Sequence, residues 1–366
     1  MRNRLNRREF LLNGIAAGAA LGMGLGCVQQ TPQGLLVPPE RRFAKANISW
    51  DRIVRTSVGL RPARRSGFLV KQEQFGDKTV IHNYGHGSRG VTLCWGTSHM
   101  AVEKALRTGE THYAVIGCGA VGLATARLLQ KHGFEVTIYA RELPPYTTSD
   151  HAEAVWDGGD NPEPGEMWNQ AARLSHGYYL KMLGDHYGIH WIEYYSEYYR
   201  ELYQSHEPNS PLGDLYQNFM QFNRDDLPFN TPSVLRWSTL LIEPPIYMQA
   251  VVEDFLSDQG EIVAYDFPNL NAVLELSEPV IMNCSGLGAK FLFDDDEMFP
   301  VKGQLTILLP QPEIDYIVDI PGSVVPRKDG LVLGGTWEPD VWSLEPNEEA
   351  LHKIMNRHMA FANNMK

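Results

Sequence analysis

The segment His112-Tyr113-Ala114-Val115-Ile116 is a short apolar run, and Gly117-Cys118-Gly119-Ala120-Val121-Gly122 follows it at once. Leu123 to His132 then has helical periodicity, and Phe134 to Tyr139 is a second β-branched run. This sets a G-x-G-x-x-G pattern between a strand and a helix. There the glycines permit a tight turn, close approach of a pyrophosphate, and close helix–strand packing. The unpaired N–H groups at the helix start favour phosphate charge. A dinucleotide is therefore expected at Gly117, Gly119, Ala120, Val121 and Gly122. Arg141 and Glu142 follow the second strand, where Glu142 can accept ribose hydroxyls. The motif alone leaves NAD and FAD open.

These residues sit in a chain of 366 positions, longer than one hydrophobic core usually serves, so two domains in one compact unit are expected. Apolar residues make up 43% and charged residues 21%, ordinary values for a globular protein. A formal net charge of −12 repels phosphate backbones and anionic lipid, which argues against nucleic acid and membrane surfaces as partners. The 16 tyrosines suit an aromatic-lined pocket and an aromatic-rich core equally well. The run from Tyr194 to Tyr203 reads as an aromatic lid, an interface strand or an ordinary amphipathic segment. Cys27, Cys94, Cys118 and Cys284 match neither a zinc site nor a disulfide framework, so neither a metal nor a structural disulfide is expected. Cys118 and Cys284 read as small buried residues, not nucleophiles.

Arg7-Arg8 precedes Phe10-Leu11-Leu12 and a Gly/Ala-rich stretch from Gly14 to Gly26. That stretch is too short and too weakly hydrophobic to span a membrane. The pattern is that of a twin-arginine signal, so residues 1–27 are read as a signal peptide cleaved near Gly26. The expected destination, through the twin-arginine export machinery, is the periplasm or another extracytoplasmic space. A lipid anchor at Cys27 is disfavoured, because Gly24 stands where a lipobox wants Leu. Residues 28–45, with Pro32, Pro38 and Pro39, read as a disordered tether.

Further blocks carry a family resemblance. Val80-Ile81-His82-Asn83-Tyr84-Gly85-His86-Gly87-Ser88-Arg89-Gly90-Val91-Thr92-Leu93-Cys94-Trp95-Gly96 is similar to the isoalloxazine-binding signature of the D-amino-acid oxidase family. Val58-Gly59-Leu60-Arg61-Pro62-Ala63-Arg64-Arg65 resembles that family's substrate-arginine motif. Tyr146 to Trp156, containing Thr147, Thr148 and Ser149, resembles its loop around the FAD pyrophosphate. Val280 to Ala289 resembles its strand and turn near the adenine half, and Val301–Gln304 and Leu333–Trp337 its later strands. The resemblance implies FAD, and an α/β fold with a Rossmann-like FAD-binding domain and a second, mixed-sheet substrate-binding domain.

The order of the motifs departs from the family, because the arginine and flavin blocks open the chain instead of closing it. The sequence reads as a circular permutation, with Met100 to Thr111 joining the old ends. Residues 46–106 are then a permuted segment carrying the substrate arginine and the flavin loop. Residues 112–180 form the FAD-binding βαβ core, 185–270 the substrate domain, and 275–350 the remaining FAD-domain and sheet strands. The segment near 50–75 is expected to join the substrate sheet.

The resemblance implies oxidation of a D-amino acid to an imino acid, with O2 reduced to hydrogen peroxide and hydrolysis giving a 2-oxo acid and ammonia. Hydride transfer from Cα needs the carboxylate fixed but no proton-abstracting residue. Arg61 is the implied clamp, since a guanidinium holds a carboxylate through two parallel hydrogen bonds. Arg64 and Arg65 read as surface charges. Tyr247, in a block resembling the family's substrate-tyrosine segment, would bind the same carboxylate or else sit in the core. Ser88 is a further candidate at the reacting centre. Backbone N–H groups along Gly87, Ser88, Arg89, Gly90, Val91 and Thr92 would stabilise negative charge on the reduced flavin. Arg89 stands where animal relatives usually have an aromatic residue. His82 and His86, with no carboxylate visible nearby, are read as shaping the flavin loop. The competing readings are a related flavoenzyme for glycine, a secondary amine or an acidic D-amino acid, and an FAD-binding protein without turnover. A homodimer is compatible with each.

Overall fold

The computed structural model describes residues 42–153, 155–158, 165–197, 206–320 and 322–366. The twin-arginine segment, Cys27, most of the tether, and residues 198–203 of the tyrosine-rich run lie outside the described residues. The chain opens with β1 (Ile53–Arg64), β2 (Leu69–Phe75), β3 (Lys78–Tyr84) and α1 (Gly90–Ala105). Then come β4 (His112–Ile116), α2 (Ala120–Lys131), β5 (Glu135–Ala140), α3 (Glu166–Leu180), β6 (Ile189–Glu197), β7 (Gln217–Asn223) and β8 (Ser233–Ile242). Next are α4 (Pro244–Ser257), β9 (Glu261–Ala264), α5 (Leu270–Leu274), β10 (Val280–Asn283) and α6 (Ala289–Leu292). The last elements are β11 (Met298–Leu308), β12 (Tyr316–Asp319), β13 (Ser323–Arg327), β14 (Gly330–Leu333), β15 (Glu338–Pro339) and α7 (Glu348–Asn364).

Among the described residues the strands form two sheets. The six-stranded sheet has the order β2-β3-β10-β4-β5-β9, and β3, β10, β4, β5 and β9 run parallel. Parallel strands are covered on both faces, so they need continuous apolar runs, not alternation. Tyr113–Ile116 of β4 and all of Val280–Asn283 are buried accordingly. α2 lies against α1 and α4, and α1 also meets α3. Trp95, Leu123, Tyr179 and Tyr247 fill the apolar layer between these helices and the sheet.

The larger sheet has the order β1-β11-β14-β13-β12-β6-β8-β7, with β15 added on β11. β1 and β11 pair antiparallel from Arg55↔Ile307 to Arg64↔Met298, which sets Gly59 opposite Gly303 and Arg61 opposite Val301. Side chains alternate along a strand. Thus Tyr194 of β6 stacks on Trp237, while Tyr195 joins Phe43, Phe229 and Tyr316 in a second core beneath α7. The tyrosine-rich run is therefore a sheet strand over its described part, not a lid.

Three boundaries differ from the sequence reading. β2 pairs with β3 in the parallel sheet, not with the substrate sheet. β9 leaves the 185–270 segment to pair with β5. The cause is α4, which folds back over α2 and is held there by Arg127, bonded to Asp258 at 2.8 Å and to the Asp254 carbonyl at 3.0 Å. Within 275–350 only β10 joins the parallel sheet, and β11 to β15 belong to the larger one.

The expected tether ends in ordered structure: Phe43 packs edge-on against Tyr195, Phe229 and Tyr316. Lys45 Nζ donates to the Met365 carbonyl at 2.8 Å, so the front of the described body and its C-terminus are neighbours. The hop from α1 to β4 is short. It turns at Gly109, and the Tyr113 hydroxyl donates to the Glu110 carbonyl at 2.8 Å.

Candidate active site

A cavity of about 980 Å³ is lined by both glycine-rich segments and by β1. Its size lies at the upper end of the usual range for small-molecule sites, roughly 300–1,000 Å³. Gly117, Gly119, Ala120, Val121, Arg141, Glu142, Thr147, Thr148 and Ser149 line one part of it. Gly87, Ser88, Arg89, Gly90, Val91, Thr92 and Arg61 line another. The structure thus gathers most of the sequence-predicted residues around one space.

Gly117 has φ of +104°, and a Cβ there would stand 2.5 Å from the Cys284 carbonyl oxygen. A Cβ on Gly122 would overlap the Gly117 carbonyl. Gly122 therefore lies beneath the turn as packing, while Gly117 and Gly119 face the cavity. Ser149 Oγ accepts from Ala120 N at 3.0 Å, which fixes the Thr147–Ser149 loop against the first turn of α2. Helix-end N–H groups beside a glycine cradle fit a pyrophosphate. Residues present thus fit FAD: the Gly117–Val121 turn and the Thr147–Ser149 loop for its phosphates, Arg141 and Glu142 for its ribose side, and Gly85–Thr92 for the ring system. Arg141 and Glu142 also meet each other, with 3.2 Å between Nη2 and Oε1.

Arg61 enters the cavity from β1. Its Nη1 donates to the Thr336 carbonyl at 3.2 Å, and its guanidinium lies 5.3 Å from the Trp337 ring centroid. Burial lowers its pKa against the opposing pull of Glu153, and the Arg89 charge adds to the lowering. Its Cζ and both Nη atoms lie over Gly303, where any Cβ would overlap them. Among the described residues no carboxylate forms an ion pair with Arg61, so its charge faces the cavity.

Among the further carboxylates lining this space are Glu153, Asp157 and Asp319. Asp157 meets His206 Nε2 at 3.1 Å and accepts from the Tyr216 hydroxyl at 2.7 Å. Burial pulls its pKa upward, but His206, Arg89 and Tyr216 together hold it well below the usual carboxylate range. Asp319 accepts from the Tyr194 hydroxyl at 3.2 Å. Burial and the Glu153 charge push its pKa up to about 6. Glu153 accepts from Ser323 Oγ at 2.7 Å. Sequence reasoning passed over all three. Glu153 lies within the Tyr146–Trp156 loop, where no local pattern marks it, and Asp319 reaches the cavity only because β12 pairs with β13 and β6.

Several assignments change. Tyr247 does not line the cavity. It is 1% exposed, its oxygen accepts from Trp95 Nε1 at 2.8 Å, and it packs against Tyr179. α4 turns it into the helical layer, so it is a core residue. Arg64 is no surface charge: its Nε meets Asp295 at 2.9 Å, and Asp295 also accepts from the Tyr84 hydroxyl at 2.8 Å. Arg65 is the exposed one. His82 does have a carboxylate partner, Glu73, at 2.9 Å, and its other ring nitrogen meets Asn283 at 3.0 Å. His86 lines the cavity, bonds Thr97 Oγ1 at 2.9 Å and stacks on Phe68, and burial pushes its pKa down to about 3. It is thereby a neutral structural group and not a base. Burial raises the thiols of Cys94 to about 11 and of Cys118 and Cys284 to about 12, so none is a thiolate nucleophile. These three are free, and no metal-binding cluster occurs among the described residues.

Comparison with known proteins agrees with this geometry. The model of the FAD dependent oxidoreductase (DAO) family matches residues 112–362. The chain is 27% identical over 250 residues to a D-amino-acid oxidase of Rubrobacter xylanophilus, covering 66% of this chain and 74% of that one. It is also 27% identical over 258 residues to the human D-aspartate oxidase, covering 67% and 74%. Among solved structures, glycine oxidase from Bacillus cereus superposes with a TM-score of 0.54 at 14% identity, over 68% of this chain and 77% of that one.

Proposed function

Because the chain belongs to the FAD dependent oxidoreductase (DAO) family, we propose that it oxidises a D-amino acid at Cα to the imino acid. FAD supplies the two-electron acceptor, and O2 takes those electrons with two protons to give hydrogen peroxide. The imino acid then adds water to release ammonia and a 2-oxo acid. The observation that carries this reading is Arg61, a cavity-facing guanidinium with no ion-paired carboxylate among the described residues, beside the Gly85–Thr92 loop. A substrate carboxylate satisfies its fork with two hydrogen bonds. Thr336, Trp337 and Gly303 hold that fork in place, so orientation is set before substrate arrives. The D-amino-acid oxidase and D-aspartate oxidase relatives point to the same substrate class.

The front segment supports a circular permutation. The family model begins at His112, yet β1 and β3 in front of it supply Arg61 and lead into the flavin loop. The contact of Lys45 with Met365, which sets the front of the described body beside α7, is compatible with that reading. The enzyme's place of action is proposed as extracytoplasmic on the strength of Arg7 and Arg8; replacing both by Lys should retain the precursor in the cytoplasm.

The test is to purify the folded protein, confirm bound FAD by its visible absorbance, and add D- and L-amino acids without oxygen. Bleaching by a D-amino acid, with peroxide on admitting air, is the expected result. Bleaching by none of the D-amino acids refutes the reading. Bleaching by glycine or sarcosine alone transfers the assignment to the amine-oxidase alternative.

A further inference from the structure

We propose that Glu153 and Asp319 select a D-amino acid whose side chain ends in a cation, as in D-lysine. This rests on the reading that Arg61 holds the substrate carboxylate. Five charged side chains face the cavity near Arg61: two arginines, Arg61 and Arg89, against three carboxylates, Glu153, Asp157 and Asp319. Asp157 is matched within the protein by His206, Tyr216 and the Arg89 charge. Arg61 is left for the substrate.

Glu153 and Asp319 are then the pair without an ion pair of their own among the described residues, and the sheet brings them together. Ser323 holds Glu153 at 2.7 Å, and Ser323 is the cross-strand partner of Asp319. Each carboxylate receives one hydroxyl hydrogen bond, from Ser323 or Tyr194, and neither forms an ion pair with a described Lys, Arg or His. Arg357 acts on both by charge, and Arg61 on Glu153, but neither arginine forms an ion pair with them, and Arg357 Nη2 donates to the Gly334 and Gly335 carbonyls. Two adjacent carboxylates in a partly desolvated wall repel each other unless a cation or a proton joins them. The substrate α-amine does not supply that cation, because it must be the free base when Cα–H leaves as hydride. A side-chain ammonium does. An acidic side chain would set a third negative charge against the pair, which disfavours D-aspartate and D-glutamate despite the D-aspartate oxidase relative.

The experiment compares D-lysine with D-norleucine, its near-isostere lacking the terminal ammonium, and with D-glutamate, on the FAD-loaded enzyme. kcat/KM for D-lysine should exceed that for D-norleucine by about tenfold or more, and D-glutamate should be poorest. In Asp319→Asn and Glu153→Gln the D-lysine to D-norleucine ratio should fall by about tenfold, toward one. A wild-type ratio of one or less overturns the inference, with no need for either variant to fold. So does a ratio that neither substitution lowers. If D-norleucine turns over and D-lysine does not, the inference fails while the proposed reaction stands. If no D-amino acid reduces the flavin, both fail.

Discussion

Arg61→Ala separates a carboxylate clamp from a structural arginine. The side chain is pre-positioned by Thr336 at 3.2 Å and by the Trp337 ring at 5.3 Å, and Gly303 leaves room beneath it. Truncating one partner of a desolvated charge-assisted pair costs about 2–5 kcal/mol. At roughly 1.36 kcal/mol per tenfold, that is a loss in kcat/KM between about thirtyfold and several thousandfold. Arg89 shares the cavity and offers a second positive charge, which places the loss in the lower half of that range. Steady-state peroxide release against a D-amino acid gives the number, and the visible absorbance ratio gives FAD content. FAD should stay near wild type, because no cofactor contact is assigned to Arg61. Arg61→Lys should recover only part of the rate, since an ammonium does not reproduce the fork. Arg65→Ala, on an exposed side chain, is the control and should change little. Full activity in Arg61→Ala would refute the clamp, and loss of FAD would make Arg61 a cofactor residue instead.

Three further outcomes follow from the same geometry. Gly122→Ala forces a methyl group into the Gly117 carbonyl, so bound FAD and thermal stability should both fall sharply, read by absorbance and by Tm. Tyr247→Phe leaves the Trp95 N–H without its acceptor in the core, so it should destabilise by about 1–3 kcal/mol in denaturant melts while kcat/KM stays within about twofold. Asp319, facing Glu153, Asp157, Arg357 and Tyr194, titrates at about 6, so its charge appears as pH rises through that value. KM for D-lysine should therefore fall between about pH 5 and about pH 7, and Asp319→Asn should flatten that change. Because the folded pKa is raised, the folded state keeps a proton that the unfolded chain has released. Stability from this group is thus present at low pH and declines as pH climbs from the ordinary carboxylate range toward about 6.

What the sequence made legible was local. Gly117 and Gly122 announce themselves because a backbone oxygen lies where a side chain would be, and only one residue type tolerates that. Arg61 and the Gly85–Thr92 loop were equally readable, since the flavin loop is continuous in sequence. Tyr247 stayed open between carboxylate and core because its direction depends on how α4 folds over α2, a contact set by Arg127 and Asp258 far apart in sequence. Arg64 looked exposed because Asp295, its partner, enters from the turn before β11. Glu153 and Asp319 gave no signal at all: their meeting depends on Ser323 and on the order of strands in the larger sheet.

The position of β10 has a consequence for how the protein is made. β10 is hydrogen-bonded on one side to β3 and on the other to β4, strands that leave the ribosome long before it. Until Val280–Asn283 emerges, β3 and β4 have no partner between them, and the Cys284 carbonyl that closes on Gly117 is absent. Bringing such distant segments together carries a loop-closure cost that grows with the logarithm of the separation, and folds dominated by non-local pairings form slowly. A nascent chain therefore carries its phosphate turn through a long stretch of synthesis without being able to complete it. Cofactor capture becomes a late event in the making of the protein.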